Sequence, residues 1–187
     1  MRTLISSSSG PLLPFAIVKA HCRLDDDDTT FDDVLDAYIA AAEAFLEARL
    51  GRPLRVQTWS QTFGKLDAYG YLTVEGGPAC EIQSLEIMVS GAYALQSATN
   101  WAGRPLNRFA TLVRKVKGTV WPSPDEDEAA YRVTYQIGEA VLPSPIQAAA
   151  LLIIGDLFTN REAKVTANLI VNSTVEMLLA PFAAPSV

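Results

Sequence analysis

The spacing of apolar residues changes twice along this chain of 187 residues. Over residues 30–50 it is three to four residues, as in an amphipathic helix. From about residue 56 it is two, as in a strand, and from residue 144 it is helical again. This order predicts an α+β protein with a mainly helical core and an inserted antiparallel β unit.

The helix predicted over residues 30–50 carries signals at both ends. Thr30 and Asp33 fit a capping box, in which side chains satisfy the unpaired amides of the first turn. Gly51 offers a left-handed cap, and Pro53 forbids continuation of the helix. These signals predict the boundaries of the helix as well as its existence.

Three further helices are predicted at 14–23, 144–162 and 173–181, with Ser144 as a candidate cap for the second of them. Two N-terminal and two C-terminal helices therefore form the predicted core. In chain order, we predict a flexible Ser-rich arm over 1–12, a helical core over 13–55 and 140–182, a β-rich insertion over 56–139, and a tail over 183–187.

The strands of the insertion are predicted from β-branched and aromatic residues at 56–63, 71–77, 82–91, 109–116 and 131–138. Segments rich in Gly, Pro and Asn are predicted as connections, among them SATNWAGRPLN at 97–107. Nothing in the chain repeats at a fixed period.

Composition limits the function classes. The net charge is −6, which argues against sequence-independent DNA binding, since such binding needs clustered Lys and Arg. Apolar residues make up 49% and charged residues only 19%, as expected of a subunit that buries surface against partners. The longest apolar run, AAALLII, is too short to cross a bilayer, so no membrane contact is predicted.

The stretch HCRLDDDDTTFDDVLD, residues 21–36, contains seven aspartates and the only histidine. The spacing of its carboxylates does not fit a calcium-binding loop, and zinc would need more His and Cys ligands. A Ser-His-Asp triad would have to use His21, and no serine lies in a nucleophile elbow. We therefore predict that the protein binds no metal, uses no cofactor and is not an enzyme.

Asp25–Asp28 are predicted to form a solvated connection between two helices. A carboxylate-based hydrolase using these residues or Asp125–Glu128 stays a less favoured alternative.

Two other features leave alternatives open. Five basic residues cluster between 104 and 117: Arg104, Arg108, Arg114, Lys115 and Lys117. They indicate either a solvated β face or a contact with an acidic partner or DNA, and the latter would make the chain a monomeric binding module. The apolar end LLAPFAAPSV either docks into another protein or folds back onto its own helices.

Four stretches, in this order, resemble the phage head–tail connector (adaptor) proteins of the gp6-like group, and especially its phiE125 gp8-like branch. They are AIVKAHCRLDDDD, VLDAYIAAAEAFLEARLGRPLRVQTW, LPSPIQAAALLIIGDLFTNRE and VEMLLAPF. Related proteins occur in gene transfer agents. Two stretches depart mildly from the family pattern, His21–Leu24 and Phe158–Glu162.

The resemblance implies a structural virion protein, made in the bacterial host cytoplasm and located at the neck between head and tail. Such proteins form a homo-oligomeric ring, typically twelvefold, between the portal protein and the next neck or tail protein. The ring extends the channel through which DNA passes without specific binding. The portal contacts implied here are Leu179, Pro181, Phe182 and Val187. The implied subunit interface in the helical core involves Tyr38, Arg49, Asp156, Arg161 and Glu162, and Asp25, Asp26, Asp27 and Asp28 would face the channel or solvent.

Overall fold

The computed structural model describes residues 1–75, 80–107, 110–160 and 173–182. The contacts divide the chain into two compact units. The helical unit consists of Ser9–Leu54 and Val141–Val187, and the β unit consists of Met1–Ser8 and Arg55–Ala140.

The described residues form four helices and eight strands. The helices are α1 (Phe15–His21), α2 (Asp32–Leu50), α3 (Ser144–Thr159) and α4 (Ser173–Leu179). The strands are β1 (Arg2–Ser7), β2 (Gln57–Phe63), β3 (Tyr71–Glu75), β4 (Glu81–Val89), β5 (Ala92–Leu95), β6 (Trp101–Pro105), β7 (Ala110–Lys115) and β8 (Tyr131–Ile137).

The α+β class is confirmed, and every strand pair is antiparallel. The prediction of a mainly helical chain is not confirmed, because helix and strand each take up 30% of the described residues. Three strands that the sequence did not indicate, β1, β5 and β6, contribute to the difference, and so do helices that are shorter than predicted.

Strand β1 lies in the segment that was predicted to be a flexible arm. It pairs with β2 from Arg2 opposite Gln61 to Ser7 opposite Gln57. The Arg2 guanidinium lies 4.1 Å from the centre of the Trp59 ring, a cation–π contact across the two strands. These contacts are made with residues at least fifty positions away, so the local Ser-rich composition could not reveal them.

Strands β5 and β6 are short and lie at sheet edges. β6 falls within the predicted connection at 97–107, where Gly103 and Pro105 argue against a strand. An edge position removes that objection, since an edge strand leaves one row of backbone groups unpaired and tolerates proline.

The β unit contains a five-stranded sheet of order β1-β2-β8-β4-β5 and a three-stranded sheet of order β3-β7-β6. Along β8 every second residue is buried, beginning at Tyr131 and ending at Ile137. The core of the unit consists of Leu72, Val74, Leu85, Ile87, Val113, Ala130, Tyr131, Val133, Tyr135 and Ile137. Burial raises the pKa of Tyr135 to about 12.

The helical unit is organised by the apolar stripe of α2. Its fully buried members follow one another at three- and four-residue spacing: Leu35, Ile39, Ala42, Leu46 and Leu50. They share one core with buried residues of α3 and α4, including Ile146, Ile154 and Leu179. The buried face of α2 is therefore only part of the predicted apolar face, since Val34 and Phe45 are exposed.

The C-terminal end of α2 agrees with the prediction. Gly51 adopts the predicted left-handed conformation (φ 66°) and its amide bonds to the carbonyl of Glu47. The predicted capping box is wrong, because the helix begins at Asp32 and Phe31 occupies the cap position without a side-chain bond. Likewise Ser144 is the first residue of α3 and not its cap, which is Pro143. In the structure α3 ends at Thr159, before the predicted residue 162.

We expect the substitution Gly138→Ala to destabilise the β unit by about 3 kcal/mol or more. Gly138 has a φ of 91°, and a Cβ atom there would overlap the carbonyl of Arg55. Gly118→Ala is the matched control, because its φ is 88° but nothing lies within 4 Å of the added carbon. That control should lose only about 1–2 kcal/mol. Urea unfolding of both variants measures the difference, and equal losses would contradict the role of the Arg55 contact.

Candidate interaction surfaces

The acidic turn, residues Asp25–Asp28, links α1 to α2 in the helical unit. The amide of Asp28 bonds to the carbonyl of Asp25 at 3.1 Å, which closes the turn. The side chains of Asp25, Asp26 and Asp27 are exposed, as the prediction of a solvated connection requires. The Asp28 carboxylate accepts the amide of Thr30 at 2.9 Å, and this bond, with a smaller contribution from Lys19, lowers the pKa of Asp28.

Lys19, on α1, holds the acidic turn in place. It is only 5% exposed, and its Nζ donates to the carbonyl of Asp26 at 3.0 Å. The same Nζ forms an ion pair of 2.9 Å with Asp32, the first residue of α2. A single buried ammonium therefore fixes both the turn and the start of the following helix. No local pattern indicates this role, since one lysine on a short helix has many possible environments.

The predicted portal contacts lie around the end of α4. Leu179 is 1% exposed and belongs to the core of the helical unit, so it offers no free surface in this conformation. Phe182 packs against the same core, and Pro181 is exposed. Up to Phe182 the apolar end thus folds back onto its own helices. Val187 lies outside the described residues.

An ion pair fastens α4 to α2. Arg49 donates from Nε to both carboxylate oxygens of Glu176 at 3.1 and 3.2 Å. The hydrogen bonds from Arg49 lower the pKa of Glu176 and, conversely, raise that of Arg49. Arg49, predicted at a subunit interface, therefore already has a partner within its own unit.

The other predicted interface residues are spread over α2 and α3. Tyr38 is partly buried against the helical core, and Asp156 is exposed and accepts the side-chain amide of Asn160 at 2.8 Å. Arg161 and Glu162 lie outside the described residues. The structure therefore gives positions for three of the five, and the interface itself stays a prediction.

Two of the stretches that carry the family resemblance meet at one cavity of the helical unit. The cavity has a volume of about 520 Å³, and its lining includes His21, Cys22, Arg23, Phe158, Thr159 and Asn160. Gly155 permits this arrangement, since a Cβ atom there would lie 2.9 Å from Nε2 of His21. His21, the only imidazole in the chain, thus packs against a helix and has a structural environment. Burial raises the pKa of the Cys22 thiol, which disfavours the reactive thiolate.

A second cavity, the cationic groove, lies in the β unit and measures about 530 Å³. Its lining includes Tyr69, Tyr71, Arg114, Lys115, Trp121 and Tyr131. Lys117 and Arg104 are exposed but do not line it, and Arg108 lies outside the described residues. The predicted basic cluster is thus partly brought together. The aromatic residues were missed because they come from three separate loops and strands.

Two of the four carboxylates at Asp125–Glu128, those of Asp125 and Asp127, accept backbone hydrogen bonds. The Asp125 side chain accepts the amides of Ser90 and Gly91 at 3.0 and 2.8 Å, and Asp127 accepts the amide of Ala129 at 2.7 Å. In the described part of the chain, no three His, Cys, Asp or Glu side chains are grouped to hold a metal. None of the helices described is both long enough and apolar enough to span a membrane.

The described residues thus form an α+β protein whose candidate surfaces are the acidic turn, the end of α4 and the cationic groove. The family of phage gp6-like head–tail connector proteins has a model that matches residues 16–76, and this match confirms the resemblance found in the sequence. The matched region spans α1, the acidic turn, α2, β2 and β3.

Solved structures share the fold over the whole chain. A chain from the virion of a native gene transfer agent particle has a TM-score of 0.74 and 18% identity, and the alignment covers 100% of this chain and 97% of that one. A chain from the neck of the empty particle, computed with C6 symmetry, has the same identity and coverage and a TM-score of 0.71. A third, from the neck of the native particle computed with C12 symmetry, has a TM-score of 0.66, 16% identity and coverage of 99% and 97%. No curated protein matches the chain.

We expect Lys19→Met to destabilise the helical unit by about 1–3 kcal/mol, because methionine keeps the apolar stem but removes the ammonium that Asp32 and the Asp26 carbonyl contact. Lys65→Met, at an exposed lysine of the β unit, is the control and should change stability by no more than about 0.5 kcal/mol. Chemical denaturation measures both. If the two variants were equally stable, Lys19 would not organise the turn.

Proposed function

We propose that this chain is a structural connector of a virion neck, where it joins the portal protein to the next neck or tail protein. The observation that carries the proposal is the full-length fold match to neck and virion chains of gene transfer agent particles, together with the connector-family match over residues 16–76. We infer that it acts by assembly and not by catalysis.

We propose further that the chain works as a homo-oligomeric ring of twelve copies. The C12 and C6 symmetries of the related necks support this number. In a ring each copy presents one surface to the copy on its left and a different one to the copy on its right. The helical unit, with Tyr38 and Asp156, is proposed to supply part of these contacts.

DNA is proposed to pass through this ring without being bound specifically. The distribution of charge supports this, because the helical unit contains twelve acidic and six basic residues, whereas the β unit contains nine of each. The net charge of −6 therefore belongs to the helical unit. A surface of that sign does not release counterions from DNA and does not retain phosphates.

The proposed location can be tested on purified particles. An epitope-tagged copy of the chain should be found at the junction of head and tail by electron microscopy with a labelled antibody, in several copies per particle. Deletion of its gene should leave filled heads without tails. A tagged protein found on the capsid faces or at the tail tip, or absent from particles, would contradict the proposed function.

We also expect removal of residues 183–187 to weaken binding to the portal protein, because Val187, one of the proposed portal contacts, lies in this tail. This truncation keeps Leu179 and Phe182, which the helical core uses, so the subunit should fold normally. Met177→Ser is the control, because Met177 is an apolar residue of α4 that is 71% exposed and is not a proposed portal contact. This variant should bind the portal protein as the complete chain does. Pull-down with purified portal protein measures binding. Equal binding by the truncated and the complete chain would remove the tail from the interface.

A further inference from the structure

The cationic groove is lined by both aromatic and basic residues. Tyr131 is 6% exposed, and Trp121 lies beside it with ring centres 6.3 Å apart. The indole Nε1 of Trp121 donates to the carbonyl of Asn100 at 3.0 Å, which fixes the orientation of that ring. Arg114 and Lys115 are exposed at the end of β7. Among the described residues that line the groove, none is acidic.

This combination selects an acidic ligand. Arg114 and Lys115 line the groove together with aromatic residues, and two adjacent positive charges attract a carboxylate. In the described part of the chain neither Arg114 nor Lys115 forms a salt bridge, unlike Arg49 and Arg132. The groove is thus a cationic site in a chain whose net charge is negative.

The acidic turn has the matching chemistry. It presents three exposed carboxylates in succession, Asp25, Asp26 and Asp27. Its backbone is held by the internal bond between Asp28 and Asp25 and by Lys19, so little conformational entropy would be lost when it binds. In the described part of the helical unit, this turn is the only run of four acidic residues.

We propose that the acidic turn of one copy docks in the cationic groove of the next copy. The inference rests on the proposed ring, in which each contact joins two different surfaces of the same chain. One surface is strongly negative and belongs to the helical unit, and the other is locally positive and belongs to the β unit. Charge complementarity of this kind sets which surfaces meet and in which order.

The test uses two variants of the full-length chain. Arg114→Glu with Lys115→Glu reverses the groove, and Asp25→Lys with Asp26→Lys and Asp27→Lys reverses the turn. Each variant alone should self-associate about tenfold more weakly than the wild type at low salt, because like charges then face each other. Sedimentation velocity measures the association. Lys65→Glu with Arg104→Glu is the matched control, since it changes the net charge as much as the groove variant does but lies outside the groove.

The two reversed variants should associate again when they are mixed. In the mixture the unchanged acidic turn of one variant meets the unchanged groove of the other, and the two reversed surfaces also match each other. A chain carrying all five substitutions should associate with itself for the same reason. Restoration by mixing can arise only between chains, so it distinguishes docking between copies from a contact within one copy.

Several results would overturn the inference. They are a wild type that stays monomeric at low salt, a groove variant that associates normally, and a mixture that fails to associate. A groove variant that associates normally but loses affinity for a short DNA would assign the groove to phosphate binding instead. Immunolabelling at the particle neck tests the proposed function separately: wild-type protein in the neck with normal association of both variants would leave that function standing and remove only this contact.

Discussion

The packing of the α2 stripe against α3 is the interaction on which the helical unit depends. Five side chains from Leu35 to Leu50 are fully buried, and each lies one helical turn from the next. Burial of a Leu or Ile side chain contributes about 1.5–3 kcal/mol, so this one face supplies a large part of the stability of the unit. Lys19 then adds the polar constraint, because it joins α1 and the acidic turn to the first residue of α2.

The same periodicity explains which parts of the fold could be predicted from the sequence. The α2 stripe and its Gly51 cap are local signals, and so is the alternation in β8. β1 could not be predicted because its stability comes from pairing with β2 and from the contact between Arg2 and Trp59. The prediction of a cap at Thr30 was wrong for a local reason. Asp28 accepts the amide of Thr30, and the helix begins two residues later than predicted.

The candidate surfaces were predictable only in their composition. The sequence showed that Arg114 and Lys115 are adjacent, and that four aspartates follow one another. It could not show that Tyr69, Trp121 and Tyr131 converge beside the two cations, because these residues come from segments up to about sixty positions apart. Nor could it show that Leu179 belongs to the core, since an apolar residue near the end of a chain can equally face a partner. Burial decides between these two environments.

The separation of charge between the two units constrains how copies can meet. Two helical units brought face to face would place like charges near each other, and salt screens such repulsion only beyond about 8 Å at physiological ionic strength. A contact that pairs a helical unit with a β unit avoids this cost, since the β unit is neutral overall and carries its exposed Arg114 and Lys115 at one groove. The contact also leaves the remaining acidic side chains unneutralised. An assembly built in this way would keep most of its negative surface, while Arg114 and Lys115 would be covered by neighbouring copies and not presented to phosphates.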